Sequence, residues 1–299
     1  MISKLRRNDV LKSRRQIFYS ESSFKSFIKS DIANGKIVKI NPAIITILDR
    51  IGNIKDTALI QKQVLDEIDL LLKQRKIHTL HVDINFDDYD NFGSNSPVLN
   101  FHFFTPDFIE RLNHLVMFYG AYLNVHLLTN YPKRHIEEIK HIRIGAICFQ
   151  LEVVKSSEEL KTIVEVITKL GACASPVIEI VGTDKFKPKS KEEVLEIISP
   201  SLNNIGMLTF QVAATGIRSN NTSGTMFSQE TIEYIRFLTA NFNGTIQIQG
   251  GITTKTIGSA IKIGSEFLVC GTEIFNNKSG YSSQQVVESL LLQAEKELM

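Results

Sequence analysis

From about residue 38 onward, short β-branched runs alternate with longer segments of helical periodicity, and the alternation repeats eight times. The runs at 37–46, 79–84, 122–128, 145–151, 175–181, 207–213, 245–249 and 266–269 read as strands. Helical spacing of apolar residues recurs between and after them, at 57–74, 107–118, 132–140, 157–170, 191–198, 229–241, 254–263 and 282–298. A parallel strand pair needs a crossover of a dozen or more residues, so this rhythm predicts parallel strands with helices packed outside them. Eight repeats over about 250 residues fit an α/β protein of the (β/α)8 TIM-barrel class. The alternative is an open doubly wound sheet. A Gly-x-Gly-x-x-Gly turn after the first strand would mark that fold, and none is present.

Several helix starts carry a stated cause. Thr105-Pro106 precedes Asp107, an acid suited to a first turn; Ser228 stands three residues before Thr231; and Ser190 leads Lys191-Glu192-Glu193. Gly171 and Gly264 fall where helices should stop.

Residues 1–36 stand outside the repeat, which divides the chain into an N-terminal extension (1–36) and a barrel domain (37–299). The extension is basic through Lys4, Arg6, Arg7, Lys12, Arg14 and Arg15, while Phe18, Phe24 and Phe27 suit an extra helix. It reads as a solvated arm, with an arm that binds a partner or a polyanion as the alternative. It lacks the apolar core of a secretory signal. The polar stretches 87–100 and 219–224 follow the second and sixth strands and would lie on the rim as lids.

The chain has 34 basic and 32 acidic residues, a formal charge of +2. That balance argues against a nucleic-acid partner. No apolar run approaches the roughly 20 residues of a membrane helix, so no membrane association is expected. Cys148, Cys173 and Cys270 sit in apolar strand-like contexts without metal-type spacing, as buried reduced thiols of a cytoplasmic protein would.

Barrel chemistry is built where strands hand over to helices, and four segments end there in residues able to bind a metal or a phosphate. They are Leu80-His81-Val82-Asp83, Val125-His126-Leu127-Leu128, Ile248-Gln249-Gly250-Gly251 and Val269-Cys270-Gly271-Thr272. His81 and Asp83 are two apart on one strand, so both point to the same face. With His126 they offer imidazole and carboxylate ligands to a divalent metal. A lone strand-end histidine is more often a hydrogen-bonded rim residue; the three together carry the metal reading. Gly250, Gly251, Gly271 and Thr272 let the backbone approach an anion, although tight turns alone can also require glycine.

In their order and spacing these segments resemble the ribulose-phosphate 3-epimerase family. The matching strings are Asn41-Pro42-Ala43-Ile44-Ile45-Thr46, Leu80-His81-Val82-Asp83-Ile84, Val125-His126-Leu127-Leu128 through Pro132, Phe149-Gln150-Leu151-Glu152, 246–252 and 268–275. The resemblance implies a carbohydrate enzyme of the pentose phosphate type. It implies a metal (Zn, Fe, Mn or Co) held by His81, Asp83, His126 and the position of Gln249. Two aspartates of the family serve as acid and base at C3 of a ketopentose phosphate, with the metal stabilising the enediolate, and they map onto Asp83 and Gln249. The phosphate site maps onto Gly250, Gly251, Gly271 and Thr272 with part of the loop around Gly224, and Thr46 stands for the family's serine. A homo-oligomer is compatible with this reading.

The departures are specific. Gln249 can offer an amide oxygen or a hydrogen bond, and it cannot take a proton. Asn85-Phe86-Asp87 and Leu128 replace methionine-containing strings, Phe210 replaces another methionine, and Gln150 stands for a histidine. The loop 213–227 is longer than the family's. Asp87, Glu152 and Glu273 are candidate substitute acids, Glu273 equally a helix-start acid. The alternatives to an epimerase are therefore a catalytically impaired sugar-phosphate-binding protein and a different sugar-phosphate isomerase or lyase. The string 83–88 has no lysine of the kind that marks the related decarboxylases.

Overall fold

Among the described residues, eight strands, all parallel, form the sheet: β1 (Lys39–Pro42), β2 (Thr79–Asn85), β3 (Tyr122–Leu128), β4 (Ala146–Gln150), β5 (Cys173–Glu179), β6 (Met207–Gln211), β7 (Thr245–Gln249) and β8 (Phe267–Cys270). The computed structural model describes residues 38–51, 56–74, 76–86, 88–89, 103–181, 187–213, 227–277 and 279–299. The extension 1–36, the stretch 219–224 and most of 87–100 lie outside the described residues.

Strand order is β1-β8-β7-β6-β5-β4-β3-β2. The two edge strands meet through a parallel bridge between Ala43 and His81, where the Ile44 amide donates to the His81 carbonyl at 3.1 Å. The ring is thus a nearly closed TIM barrel, and residues Val38–Met299 make one compact unit.

Helices α1 (Ile45–Ile51), α2 (Thr57–Lys73), α3 (Pro106–Phe118), α4 (Pro132–Ile139), α5 (Ser157–Lys169), α6 (Lys191–Ile198), α7 (Gln229–Thr239), α8 (Ile257–Lys262), α9 (Thr272–Phe275) and α10 (Ser283–Leu298) join and follow the strands. Their apolar stripes face the sheet. In α5 these are Leu160, Ile163, Val164 and Ile167; in α10, Val286, Val287, Leu290 and Ala294. Side-chain caps start several of them. Thr105 accepts from the Phe108 amide, Ser228 from the Thr231 amide, and Ser190 and Ser282 form capping boxes with Glu193 and Gln285. Gly171 and Gly264 take positive φ just past α5 and α8. Among the described residues no helix is long and apolar enough to cross a membrane.

Two elements depart furthest from expectation. The run 37–46 is not one strand: β1 ends at Pro42, and Ile45 already starts α1. The helix expected from 254 begins at Ile257, because Thr253 and Thr256 bind each other's polar groups in the turn before it.

Strand parity separates two environments. Leu80, Val82 and Ile84 of β2, Leu123, Val125 and Leu127 of β3, and Ile147 and Phe149 of β4 face the helices and belong to the apolar core. The inward residues are largely polar. Gln247 sits at the hub: its Oε1 accepts from Asn41 (3.2 Å) and Asn124 (2.8 Å), and its Nε2 donates to Thr209 (3.0 Å). Ser175 and Thr209 share a hydrogen bond of 2.7 Å, and Cys148 donates to Asn124 Oδ1 at 3.0 Å. This network spans β1, β3, β4, β5, β6 and β7 and forms the floor beneath the C-terminal rim.

Candidate active site

Above that floor, the ends of three strands converge on one oxygen. Asp83 of β2 stands opposite His126 of β3 in the register. Its Oδ1 lies 2.9 Å from His126 Nδ1, 3.1 Å from His81 Nε2 and 3.1 Å from Gln249 Nε2, which reaches across from β7. Both imidazoles are fully buried, and their rings lie 5.7 Å apart.

The electrostatics follow from this packing. Burial opposes ionisation of Asp83, but the charge of His81 and the hydrogen bonds from both histidines outweigh it and hold the carboxyl far below its usual range. Burial pushes His126 down, toward the neutral imidazole, against the pull of Asp83. Gln150 also favours protonation of His126, although its amide does not meet hydrogen-bond geometry with any described residue.

One atom each of His81, Asp83 and His126 lie within 4.8 Å of one another. A neutral imidazole and an ionised carboxylate are the forms that ligate divalent metals. Gln249 Oε1 is buried and has no hydrogen-bond partner among the described residues. Turning the amide over would present that oxygen where Nε2 now stands. These four residues therefore fit a divalent ion.

The glycine half follows β7 and β8. Gly250 and Gly251 follow Gln249 with φ of +97° and +63°. A Cβ on Gly250 would stand 2.7 Å from the Ala213 Cβ at the end of β6. Thr256 donates to the Gly251 carbonyl at 2.7 Å and fixes this turn. After β8, Gly271 packs against Thr46, with room for no Cβ: it would meet Thr46 Cγ2 at 2.7 Å. Thr46 donates to the Ala43 carbonyl at 2.9 Å, and Thr272 opens the single-turn α9. Backbone conformation and close approach thus require these glycines even without a ligand.

Of the substitute acids, Asp87 lies outside the described residues. Glu273 is a first-turn acid of α9. Glu152 lies in a 3-10 turn after β4. Its Oε1 accepts from the Glu179 amide at 3.0 Å, and burial pushes its carboxyl up to about 8, with the Glu179 carboxylate adding to the rise.

Two clusters escape a reading by spacing. In the first, Asp88 Oδ1 accepts from Thr129 Oγ1 (2.6 Å) and the Asn130 amide (3.1 Å), and its Oδ2 lies 2.9 Å from His135 Nε2. His135 stacks on Phe86, with its Nδ1 2.9 Å from Glu138 Oε2. This clamp joins the turns after β2 and β3. The second comprises the polar ends of β4 to β6, namely Gln150, Glu179 and Gln211. Their signal is parity: each follows an inward polar residue of its own strand, Cys148, Ser175 or Thr209, by an even number of positions.

A model of the ribulose-phosphate 3 epimerase family matches residues 61–275. A ribulose-phosphate 3-epimerase of Schizosaccharomyces pombe is 24% identical over 160 residues, which are 53% of this chain and 62% of the relative. The match thus spans less than two thirds of that relative's length. Among solved structures, orotidine 5'-phosphate decarboxylase from Pyrococcus horikoshii superposes with a TM-score of 0.56 at 11% identity, covering 86% of this chain and 99% of the other. 3-Hexulose-6-phosphate synthase from Salmonella typhimurium gives 0.53 at 10% identity, over 78% and 94%. At those identities the likeness concerns the fold alone. The family match, which runs over most of a barrel with His81, Asp83 and His126 gathered at two adjoining strand ends, makes this chain a member of the ribulose-phosphate 3-epimerase family.

Proposed function

We propose that the protein binds a phosphorylated ketose at the C-terminal rim and acts on it as an epimerase or isomerase of the ribulose-phosphate 3-epimerase type. The observation that carries this is the convergence of His126, His81 and Gln249 on Asp83 Oδ1. Such a convergence prepares one ionised carboxylate amid hydrogen-bonding partners. His81, Asp83, His126 and Gln249 would hold a divalent ion, whose positive charge favours the developing oxyanion of an enolised ketose. Thr46, Gly250, Gly251, Gly271 and Thr272 would receive the phosphate.

Asp83, ionised at neutral pH, is the base that takes the C3 proton. Gln249 holds no exchangeable acid and instead orients a hydroxyl or a water on the opposite face. Buried reduced cysteines support a cytoplasmic setting.

Gln249 itself favours a second reading, a sugar-phosphate-binding protein without turnover, since loss of one positioned acid–base group costs about 10²–10⁴ in rate. Deuterium exchange at C3 of ribulose 5-phosphate separates the two, paired with metal analysis of protein purified without chelator. Metal with exchange that disappears in Asp83→Asn supports the enzyme. Tight binding of the sugar phosphate without exchange supports the second reading. Full exchange in Asp83→Asn would overturn the assignment of the base.

A further inference from the structure

The corner where β4 meets β5 holds three oxygen-bearing side chains that the proposed function does not use. Gln150 ends β4 and Glu179 ends β5. Gln150 shares the parity of Cys148, and Glu179 that of Ser175, so both heads turn to the barrel interior. The register sets Gln150 opposite Val177, which leaves Glu179 its diagonal neighbour, one inward step higher on the next strand. Glu152 closes the corner from the turn after β4, its Oε1 accepting from the Glu179 amide at 3.0 Å.

This corner is dry and carries two acids. Gln150 is 0% exposed, and neither polar atom of its amide has a hydrogen-bond partner among the described residues. Glu152 Oε2 is likewise closed off from water and likewise unpartnered among them. Glu179 is buried too, and its carboxylate stands near enough to oppose a negative charge on Glu152, which Lys189 offsets only weakly. Buried polar atoms are normally paired, so an orphaned amide beside an orphaned carboxylate oxygen marks a place prepared for a guest.

The chemistry of the trio narrows what that guest is. Two acids repel an anion. A proton shared between them would ease their repulsion and leave the amide as it is. A cation with oxygen ligands answers all three: it takes one oxygen from each carboxylate and the Gln150 oxygen, which a half-turn of the amide presents. Carboxylates and an amide carbonyl at an irregular strand corner suit calcium, whereas magnesium demands a near-regular octahedron and keeps several of its waters. The trio has no imidazole, in contrast to the group of His81, Asp83 and His126.

We propose that Gln150, Glu152 and Glu179 form a second cation site, made for calcium, that fastens the turn after β4 to the end of β5. The site is separate from the imidazole-bearing one and stands whether or not the protein turns over a sugar phosphate. Occupancy exchanges a proton for the ion. Burial pushes the Glu152 carboxyl up to about 8, so calcium arriving near neutral pH expels about one proton.

The test is calorimetric titration of the full chain, freed of metal by chelator, with calcium chloride at about pH 8. The wild type should bind calcium with a Kd of about 10⁻³ M or tighter, and magnesium at least about tenfold more weakly. Asp83→Asn should leave the calcium affinity within about twofold, because Asp83 belongs to the other ligand set. Glu152→Gln keeps an acceptor for the Glu179 amide and should weaken calcium by about tenfold or more, while Gln150→Glu adds a carboxylate and should tighten it by about as much. A damaged fold does not produce both signs. Titration of the wild type at about pH 7 in two buffers of different ionisation heat should find about one proton released per calcium. No calcium binding in the wild type, undiminished affinity in Glu152→Gln, or lost affinity in folded Asp83→Asn would each overturn the site. Should Glu152→Gln not fold, Gln150→Glu decides alone, and an affinity no tighter than that of the wild type overturns it.

Discussion

Glu152 should make the protein lose stability as pH rises through neutrality, and Glu152→Gln should remove that loss. The residue as a whole is half-buried, but its Oε2 is closed off from water and has no partner among the described residues. Burial and the nearby Glu179 push its carboxyl from 4.5 up to about 8, against the Glu179 and Glu152 amides and Lys189. The folded protein therefore keeps a proton that the unfolded chain releases above its ordinary range. Between those two values the unfolded state binds fewer protons, so stability falls with rising pH. The contribution is whole below about pH 4.5 and is lost progressively up to about 8. At about 1.4 kcal/mol per pH unit, the interval from about pH 5.5 to 7.5 should cost the wild type roughly 2–3 kcal/mol. Glutamine keeps an oxygen for the Glu179 amide and carries no proton to lose. Urea unfolding at intervals across this range should find the two proteins similar at the acidic end and the variant ahead at the alkaline end. Parallel pH profiles, or a wild type that gains on the variant, would refute the reasoning.

Gln249→Asp should tighten divalent metal binding by about tenfold or more, since it adds a second carboxylate to the ligand set; competition against a chromogenic chelator measures it. Gly250→Ala should lose about 1–3 kcal/mol, from its positive φ and the close approach of Ala213, as read by thermal unfolding. Gln247→Leu should cost about 2–5 kcal/mol in urea unfolding, because Asn41, Asn124 and Thr209 each lose a hydrogen bond at once. Burial opposes ionisation of Asp88, but Thr129, His135 and Asn130 together hold its carboxyl below 3.8. The stability this brings is present above that value and lost as pH falls below it, so Asp88→Asn should flatten the acid limb of the stability curve.

The barrel and much of the candidate site could be read from the chain because both depend on short periods. His81 and Asp83 are two apart on one strand, and His126 ends the next. The caps at Thr105, Ser190 and Ser228 act within three residues. Ile44-Ile45-Thr46 misled for the same reason: β-branched residues read as strand, while the packing of buried Ile44 and Ile47 at the barrel seam turns the chain into α1. The convergence of Gln249 on Asp83 joins positions 166 apart, and no local pattern announces it. Nor does any announce the Asp88–His135 clamp, which joins the turn after β2 to α4. The polar ends of β4 to β6 were visible as letters, but their alignment depends on register, which only the closed sheet fixes.

The interior network also bears on how the chain reaches its native state. Gln247 takes its partners from positions 206, 123 and 38 residues away. A half-assembled ring would leave each of these groups dry and unpaired, whereas an apolar interior would tolerate partial assembly. The polar floor thus penalises every intermediate except those still open to water, so the ring should snap shut late and in a single step. It works as a latch: the last strand to arrive completes bonds that the first strand has held open, and fragments that omit β7 should remain unfolded even though their outward faces are fully apolar.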